Sequence, residues 1–144
     1  MKLIFLGIPQ SQLRPRATRM GNGIRLYDPK KTADYKNYVR DSAALQWKHG
    51  QLKGALHVEI DVYRPIQKST SKKDYELKKS HVIRPTVKAD IDNYTKAILD
   101  SCNGILWRDD SQVVSLIANK YYSDNPRIEI EVRRINDGKI RQKV

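Results

Sequence analysis

The sequence has little of what would place it in a membrane or in an oxidising compartment. It contains one cysteine, so no internal disulfide can form. No apolar run approaches the roughly 20 residues that are needed to cross a bilayer. Residues 1 to 10 have a charged start and a short apolar run, but no small-residue cleavage site follows them. We therefore expect a reduced, cytoplasmic protein that does not associate with a membrane.

Zinc ligands and acidic residues are also scarce. The three histidines, His49, His57 and His81, show no metal-ligand spacing with each other or with Cys102. Asp and Glu number 16 against 28 Lys and Arg, which gives a formal charge of +12. A polyanion is the expected partner, because each phosphate that is neutralised releases condensed counterions. Charge alone leaves DNA, RNA and anionic membrane open, although no basic amphipathic helix indicates a membrane.

The length and the hydrophobic pattern predict one small α+β domain. The 144 residues are enough to bury a core without disulfides. We expect a single domain over residues 1 to 134, followed by a basic, flexible tail over residues 135 to 144. Its predicted architecture is a single mixed or antiparallel sheet with two principal helices on one face. Strands are predicted at residues 2 to 7, 24 to 27, 56 to 63, 113 to 121 and 127 to 133, with a hairpin turn at Gly21-Asn22-Gly23 and helices capped by Thr32 and Asp92.

The charges are unevenly distributed along the chain. Residues 64 to 84 hold seven basic and two acidic side chains in a polar, Ser/Thr-bearing stretch, which is typical of a mobile basic loop. Residues 90 to 110 reverse this balance, with five aspartates against two basic residues. A basic protein that collects aspartates in one stretch needs a specific explanation.

The aspartates have the chemistry of a magnesium site. If Asp90 ends an extended segment and Asp92 begins a helix, and the loop after that helix returns Asp110, three carboxylates converge on one space. Neighbouring carboxylates raise one another's pKa, so such a cluster persists best around a divalent cation. Oxygen ligands favour Mg²⁺, which can drive phosphodiester hydrolysis. Lys96, one helical turn after Asp92, is placed to hold the scissile phosphate or to orient the water.

Simpler explanations of the same residues stay open at this point. Asp92 alone is often a helix cap, and Asp92 with Lys96 is a common ion pair along a helix. Asp109-Asp110 before Ser111 can be an ordinary turn. In that case the protein is a noncatalytic basic module that binds structured nucleic acid.

One stretch of the chain resembles a known family in detail. The residues that carry the resemblance are Lys88-Ala89-Asp90-Ile91-Asp92-Asn93-Tyr94-x-Lys96, then Asp100, Asn103-Gly104 and Asp109-Asp110-Ser111-Gln112-Val113. They are similar to the signature of the RusA-type Holliday junction resolvases. The resemblance implies a RusA-like fold and a homodimer of phage or prophage origin that nicks four-way junctions symmetrically with Mg²⁺. Mn²⁺ is the expected substitute for Mg²⁺.

The resemblance also assigns roles to individual residues. It puts Asp90, Asp92 and Asp110 at the metal-ligand positions, Lys96 at the catalytic lysine position and Asp109 at a supporting acidic position. The candidates for DNA contact are Arg14, Arg16, Lys72, Lys73 and Lys88. Solvation of a hairpin rim or of a loop explains several of these basic residues equally well. A general structure-selective nuclease acting on flaps would use the same metal site, so sequence alone does not choose the DNA shape.

Overall fold

The computed structural model describes residues 1–135 and confirms the α+β class. The strands are β1 (Lys2–Leu6), β2 (Arg16–Met20), β3 (Gly23–Tyr27), β4 (Leu56–Pro65), β5 (Val113–Ser123) and β6 (Arg127–Arg134). The helices are α1 (Lys30–Gln46), α2 (Lys72–Lys79) and α3 (Ile91–Cys102). The predicted basic tail falls outside the described residues from position 136 onward.

Four of the strands form a mixed sheet in the order β1-β6-β4-β5. Strand β6 pairs antiparallel with both β1 and β4, whereas β5 runs parallel to β4 and forms an edge. The alternation predicted for β4 is confirmed, because Leu56, Val58, Ile60 and Val62 are fully buried. Edge strand β5 therefore runs in the same direction as the central strand, from the end of the sheet where β4 begins.

The core lies between one face of this sheet and the helices α1 and α3, which pack against each other. Trp107, in the segment after α3, is completely buried, and its indole nitrogen donates a hydrogen bond to Asn103 at 2.7 Å. Burial of one large apolar side chain contributes roughly 1.5–3 kcal/mol, so Trp107 fixes this segment against the core. Within residues 1–135, no helix has both the length and the apolar character needed to span a membrane.

The predicted hairpin is confirmed, but it lies apart from the main sheet. Strands β2 and β3 pair only with each other, around a turn in which Gly21 has a φ of 57°. That left-handed conformation favours glycine. Every residue of both strands is exposed. The hairpin thus projects from the domain as a separate two-stranded sheet.

The predicted helix caps are wrong by a few residues. Helix α1 begins at Lys30 after Pro29, whose ring fixes φ near a helical value. Thr32 is instead buried inside the first turn, where its hydroxyl accepts a hydrogen bond from the Leu13 amide at 3.2 Å. Helix α3 begins at Ile91, one residue before the predicted cap, so that Asp90 takes the cap position.

The segment from residue 64 to residue 84 is not the open loop that its composition predicts. Strand β4 continues to Pro65, and helix α2 follows after a short connection. The Ser71 hydroxyl accepts a hydrogen bond from the Asp74 amide at 3.2 Å, which caps the first turn. Helix α2 packs on β5. This stretch is therefore part of the folded domain, although α2 buries none of its own residues.

Candidate active site

Two exposed carboxylates lie at the N-terminus of α3. Asp90 occupies the cap position, yet its side chain makes no capping hydrogen bond. The Asp92 carboxylate accepts only from the neighbouring Asn93 amide, at 3.0 Å. Within residues 1–135, no Lys or Arg forms an ion pair with either side chain, and the Asp92–Lys96 pair considered above is not formed. In a protein of charge +12, neither carboxylate is paired with a Lys or Arg of the described residues.

Lys96 is held by a different aspartate. Its Nζ lies 3.5 Å from Asp100, one turn further along α3. Asp100 also pairs with Lys36 of α1 at 3.2 Å, so the carboxylate is shared between two helices. The Lys96 side chain nevertheless stays 59% exposed. The ion pair therefore orients Lys96 while leaving its ammonium group accessible to a phosphate.

Asp90 borders a cleft that is rimmed by cations. Arg14 and Lys88 line this cleft together with Asp90 and Asn93. A second, adjoining cleft is lined by Arg14, Asn93 and Lys96. Three of the predicted functional cations thus lie around the N-terminus of α3. Their arrangement places positive charge for phosphates beside carboxylates that can accept a metal ion.

The segment before the hairpin is fixed to the helices at this cleft. The Gln12 amide donates to the Asn93 carbonyl at 2.9 Å, and its side-chain nitrogen donates to Asp28 at 2.9 Å. Burial alone would raise the pKa of Asp28. The hydrogen bonds from Gln12 and Lys36 outweigh that effect and hold this pKa below its ordinary value. The charged form of Asp28 therefore helps to keep Arg14 next to Asp90.

Two cations hold the backbone immediately before Asp90. The Arg64 guanidinium, at the end of β4, donates to the carbonyl of Lys88. Lys120 of β5 donates to the carbonyl of Ala89 at 3.1 Å. Both carbonyls are thus directed toward the sheet. We call Arg64 and Lys120 the backbone clamp of Asp90.

Asp109 and Asp110 lie in a short 3₁₀ turn between Trp107 and β5. The Asp109 carboxylate accepts from the Ser111 amide at 3.1 Å. Hydrogen bonding by the Ser111 side chain, and then by its amide, keeps the pKa of Asp109 below its usual range. The Gln112 side-chain oxygen accepts from the Asp109 amide, completing a capping box. Asp109 therefore has a structural role in the turn. Asp110 is half-buried and has no ion pair or side-chain hydrogen bond within the described residues.

The turn itself is fixed to the chain just before β4. The Gln112 side-chain nitrogen donates to the carbonyls of Leu52 and Gly54, at 2.9 and 3.1 Å. These bonds place Asp110 at the end of the sheet where β4 and β5 begin. Asp90 lies toward the other end. Lys120, near the end of β5, donates to the carbonyl of Ala89, the residue directly before Asp90.

The predicted convergence of three aspartates is therefore not found within one chain. Lys120 lies seven positions after Val113 on strand β5. At roughly 3.3 Å per residue, this stretch of strand is on the order of 20 Å long. Residues 1–135 contain no group of three or more His, Cys, Asp or Glu that could hold a metal ion. The physical reason is that α3, 12 residues and about 18 Å long, carries the chain away from Asp90 before Asp110 is reached.

The other candidates for DNA contact lie further from this cleft. Arg16 begins strand β2 of the hairpin, and Lys72 and Lys73 are exposed at the start of α2. Their neighbours in the same basic run have structural partners. Lys78 donates to Gln67 at 2.8 Å, and Lys79 lies 3.5 Å from Asp124. The basic run is thus divided, and Lys72 and Lys73 are without such a partner in the described chain.

Sequence reasoning missed the backbone clamp and the Gln12–Asp28 contact. The alternation of side chains along a strand could have indicated the role of Lys120. Lys120 lies on the same side of β5 as Leu116 and Ala118. That side faces the helices, where a lysine needs a polar partner. Arg64 lay in the segment that was predicted to be a loop. No local pattern indicates that Gln12 contacts α3.

The donor chemistry fits magnesium, whereas the geometry of one chain fits it only in part. Asp90 and Asp92 offer oxygen ligands next to each other without a competing cation. Asp110 is a third such carboxylate at the far end of α3. One chain therefore offers two candidate ligands at the start of α3 and a third that is remote from them.

Comparisons with known proteins agree with these features. The family model described as "Endodeoxyribonuclease RusA" matches residues 7–133, which include the hairpin, α3 and the Asp109-Asp110 turn. The chain is also 36% identical over 138 residues to the uncharacterized protein YqaN of Bacillus subtilis (strain 168), a match that covers 94% of this chain and 97% of that protein. The resemblance seen in the sequence is thereby confirmed: this chain belongs to the RusA endodeoxyribonuclease family.

Proposed function

We propose that this protein is a Mg²⁺-dependent endonuclease that resolves four-way DNA junctions by paired symmetric nicks during recombination and repair. Family membership gives the nuclease activity, and the metal, the junction and the pairing of nicks are the proposal. The observation that carries it is the cleft at the N-terminus of α3. There, Asp90 lines the same cleft as Arg14 and Lys88, and Lys96 lines the adjoining cleft. Asp92 follows two residues after Asp90, and within residues 1–135 neither carboxylate has an ion-pair partner.

The proposed metal ligands are Asp90, Asp92 and Asp110. Mg²⁺ suits this set because every donor is a carboxylate oxygen, and Mn²⁺ is the expected substitute. When bound, the ion would offset the charge on the scissile phosphate and lower the pKa of a bound water. The sequence motif and the open geometry both support this assignment.

A homodimer would supply the remote ligand. Because Asp90 and Asp110 lie toward opposite ends of the sheet in one chain, we propose that the partner subunit's Asp110 joins Asp90 and Asp92. A two-fold axis then generates two equivalent sites, each formed by both subunits. Two sites related in this way match the symmetry of a four-way junction and place one nick on each of two opposed strands.

The cations of the cleft have distinct proposed roles. Lys96, oriented by Asp100, contacts the scissile phosphate through its exposed ammonium group. Arg14 and Lys88 bind the phosphates on either side of the cut. Arg16 contacts phosphates next to the cleft, and Lys72 and Lys73 contact the more distant DNA arms. We further propose that the protein works in the cytoplasm on phage or prophage DNA.

Cleavage of an end-labelled synthetic four-way junction tests the proposal. Wild type and Asp92→Asn are compared in Mg²⁺ and in EDTA, beside three-way, flap and linear substrates. We expect paired nicks on the four-way junction that disappear with EDTA or with the substitution. Tight binding without nicks under any condition would identify a binding module. Equal rates on flaps or linear duplex would reject the junction specificity.

A further inference from the structure

The hairpin of β2 and β3 packs against no other part of the described domain. All of its residues are exposed, and within residues 1–135 no other helix or strand makes substantial contact with it. An isolated two-stranded hairpin is only marginally stable in water. A protein that keeps one extended from its surface is expected to use it against a partner.

The strand register divides the hairpin into two different faces. Leu26 lies opposite Ala17, and Ile24 lies opposite Arg19, so these four side chains share one face. Ile24 is 74% exposed and Leu26 is 68% exposed. We call this the apolar face, and Arg19 lies at its tip. Two large aliphatic side chains that lie next to each other on one strand and are exposed mark a contact surface.

The opposite face is mainly basic and polar. Its members, taken from the same register, are Arg16, Thr18, Met20, Arg25 and Tyr27. Residues 14 to 27 include four arginines and no acidic residue. No Asp or Glu within residues 1–135 forms an ion pair with the hairpin arginines. We call this the basic face.

The charge of the hairpin selects its partner. A second copy of the hairpin would bring three arginines against three arginines, which is unfavourable. DNA offers phosphates for the basic face and base planes for the apolar face. DNA is also the substrate class of the family to which the chain belongs. Charge complementarity thus favours DNA over self-association.

The hairpin is also placed beside the proposed active site. Strand β2 begins at Arg16, two residues after Arg14, which lines the same cleft as Asp90. The segment between β1 and β2 is fixed to α3 by the Gln12–Asn93 hydrogen bond. A DNA strand lying in the cleft would therefore pass the base of the hairpin.

We propose that the hairpin opens the DNA branch point. Its basic face contacts backbone phosphates, and Ile24 and Leu26 of its apolar face pack against bases that are unstacked at the crossover. Aliphatic side chains inserted between base steps act in this way in other DNA-bending proteins, at a cost of a few kcal/mol per step. The proposal rests on the proposed function, because it requires a branched DNA substrate.

The test uses junctions that carry 2-aminopurine at the crossover, whose fluorescence rises when the base unstacks. Binding is measured in EDTA, so that no cutting occurs, for wild type, Ile24→Ser/Leu26→Ser and the control Leu45→Ser. Leu45 is 75% exposed on α1, away from the hairpin and the cleft. We expect wild type and Leu45→Ser to raise the fluorescence and the double variant to lose most of this rise at saturating protein.

Cleavage in Mg²⁺ gives a second measurement of the same step. We expect the double variant to cut a fully paired junction roughly tenfold or more slowly, because unstacking is no longer assisted. A junction with unpaired bases already present at the crossover should be cut at the wild-type rate. Rescue by this substrate separates loss of opening from a general loss of folding.

Variants of the basic face separate phosphate contact from opening. Arg16→Gln/Arg25→Gln should weaken junction binding. The slope of log binding constant against log salt concentration should become less steep by roughly 0.9 for each phosphate contact that is lost. At saturating protein its fluorescence rise should be retained.

Three results would contradict the proposal. The double variant could retain the full fluorescence rise and cut paired junctions normally, which would show that the apolar face does not touch the bases. It could sediment as a smaller species than wild type, which would make the apolar face a subunit interface. It could also remain slow on the pre-opened junction. If the wild type failed to bind or cut branched DNA at all, the proposed function would fail instead.

Discussion

The two ends of α3 differ in how their aspartates are used. At the N-terminus, Asp90 and Asp92 have no ion-pair partner within residues 1–135, and the backbone clamp holds the preceding carbonyls. Beyond the C-terminus, Asp109 is part of a capping box, and only Asp110 is left without a side-chain partner in the described chain. The difference teaches that a motif that is continuous in sequence is divided in space. Its parts become one site only if another subunit brings the two ends together.

Removal of Asp110 should have the largest effect, although it lies far from Asp90 in its own chain. We expect Asp110→Asn to lower junction cleavage at least about a thousandfold, equivalent to roughly 4 kcal/mol in the barrier, with unchanged thermal stability. The matched variant Asp109→Asn should instead lower the thermal midpoint and reduce cleavage far less. Single-turnover rates and thermal unfolding of both variants measure this contrast. Equal activity losses would mean that the two aspartates do not have separate roles.

The backbone clamp should affect the Asp90 end alone. Lys120→Met removes the donor to the Ala89 carbonyl while keeping the aliphatic stem. We expect Mn²⁺ binding without DNA to weaken by roughly 10- to 100-fold, as when an outer partner of a metal ligand is lost. Electron paramagnetic resonance of unbound Mn²⁺ measures it, with exposed Lys48→Met as the control. In a protein that already carries Asp90→Asn, Lys120→Met should not weaken Mn²⁺ binding further. A weaker junction affinity in EDTA would show that Lys120 contacts DNA instead.

Gln112 should be the most sensitive stability position at the Asp110 end. Its side chain makes hydrogen bonds to the backbone of Arg108, Asp109, Leu52 and Gly54. We expect Gln112→Ala to lower the free energy of unfolding by about 2 kcal/mol, since backbone groups lose their partners. Urea unfolding measures this loss. No change in stability would mean that the turn does not need the side chain.

Asp28 should give a smaller and pH-dependent effect at the Asp90 end. Its pKa is below the ordinary value in the folded protein, so the charged form adds stability above the unfolded pKa. That contribution is lost as pH falls through the folded pKa. We expect Asp28→Asn to lower the free energy of unfolding by about 1 kcal/mol at pH 7. At a pH below both the folded and the unfolded pKa of Asp28, the substitution should have almost no effect. Unfolding at pH 7 and at low pH tests this, and an equal cost at both would exclude the charge as the cause.

Local features of the fold could be predicted from the sequence. The Gly21-Asn22-Gly23 turn and the alternation of β4 depend on neighbouring residues, so both predictions were correct. Helix α2 was missed because its sequence, KKDYELKK, has no apolar stripe to reveal its period. Its cap, Ser71 before Asp74, was the only local signal.

The candidate site was predictable in its residues but not in its assembly. Asp90, Asp92 and Lys96 share the first turns of one helix, so their proximity follows from helical geometry. The position of Asp110 depends on the length of α3 and on the contact of Gln112 with the chain before β4. Such contacts between distant segments are not encoded in local spacing. Helix length alone, about 18 Å, should have argued against convergence within one chain.

Subunit mixing tests the central claim most directly. Asp90→Asn and Asp110→Asn proteins are each inactive by prediction, and they are mixed, exchanged and assayed on the four-way junction. If each site takes its ligands from both subunits, the mixed dimer contains one intact site, and nicks on one strand should return. If all three ligands came from one chain, both sites of the mixed dimer would be damaged, and the mixture would stay as inactive as either variant alone.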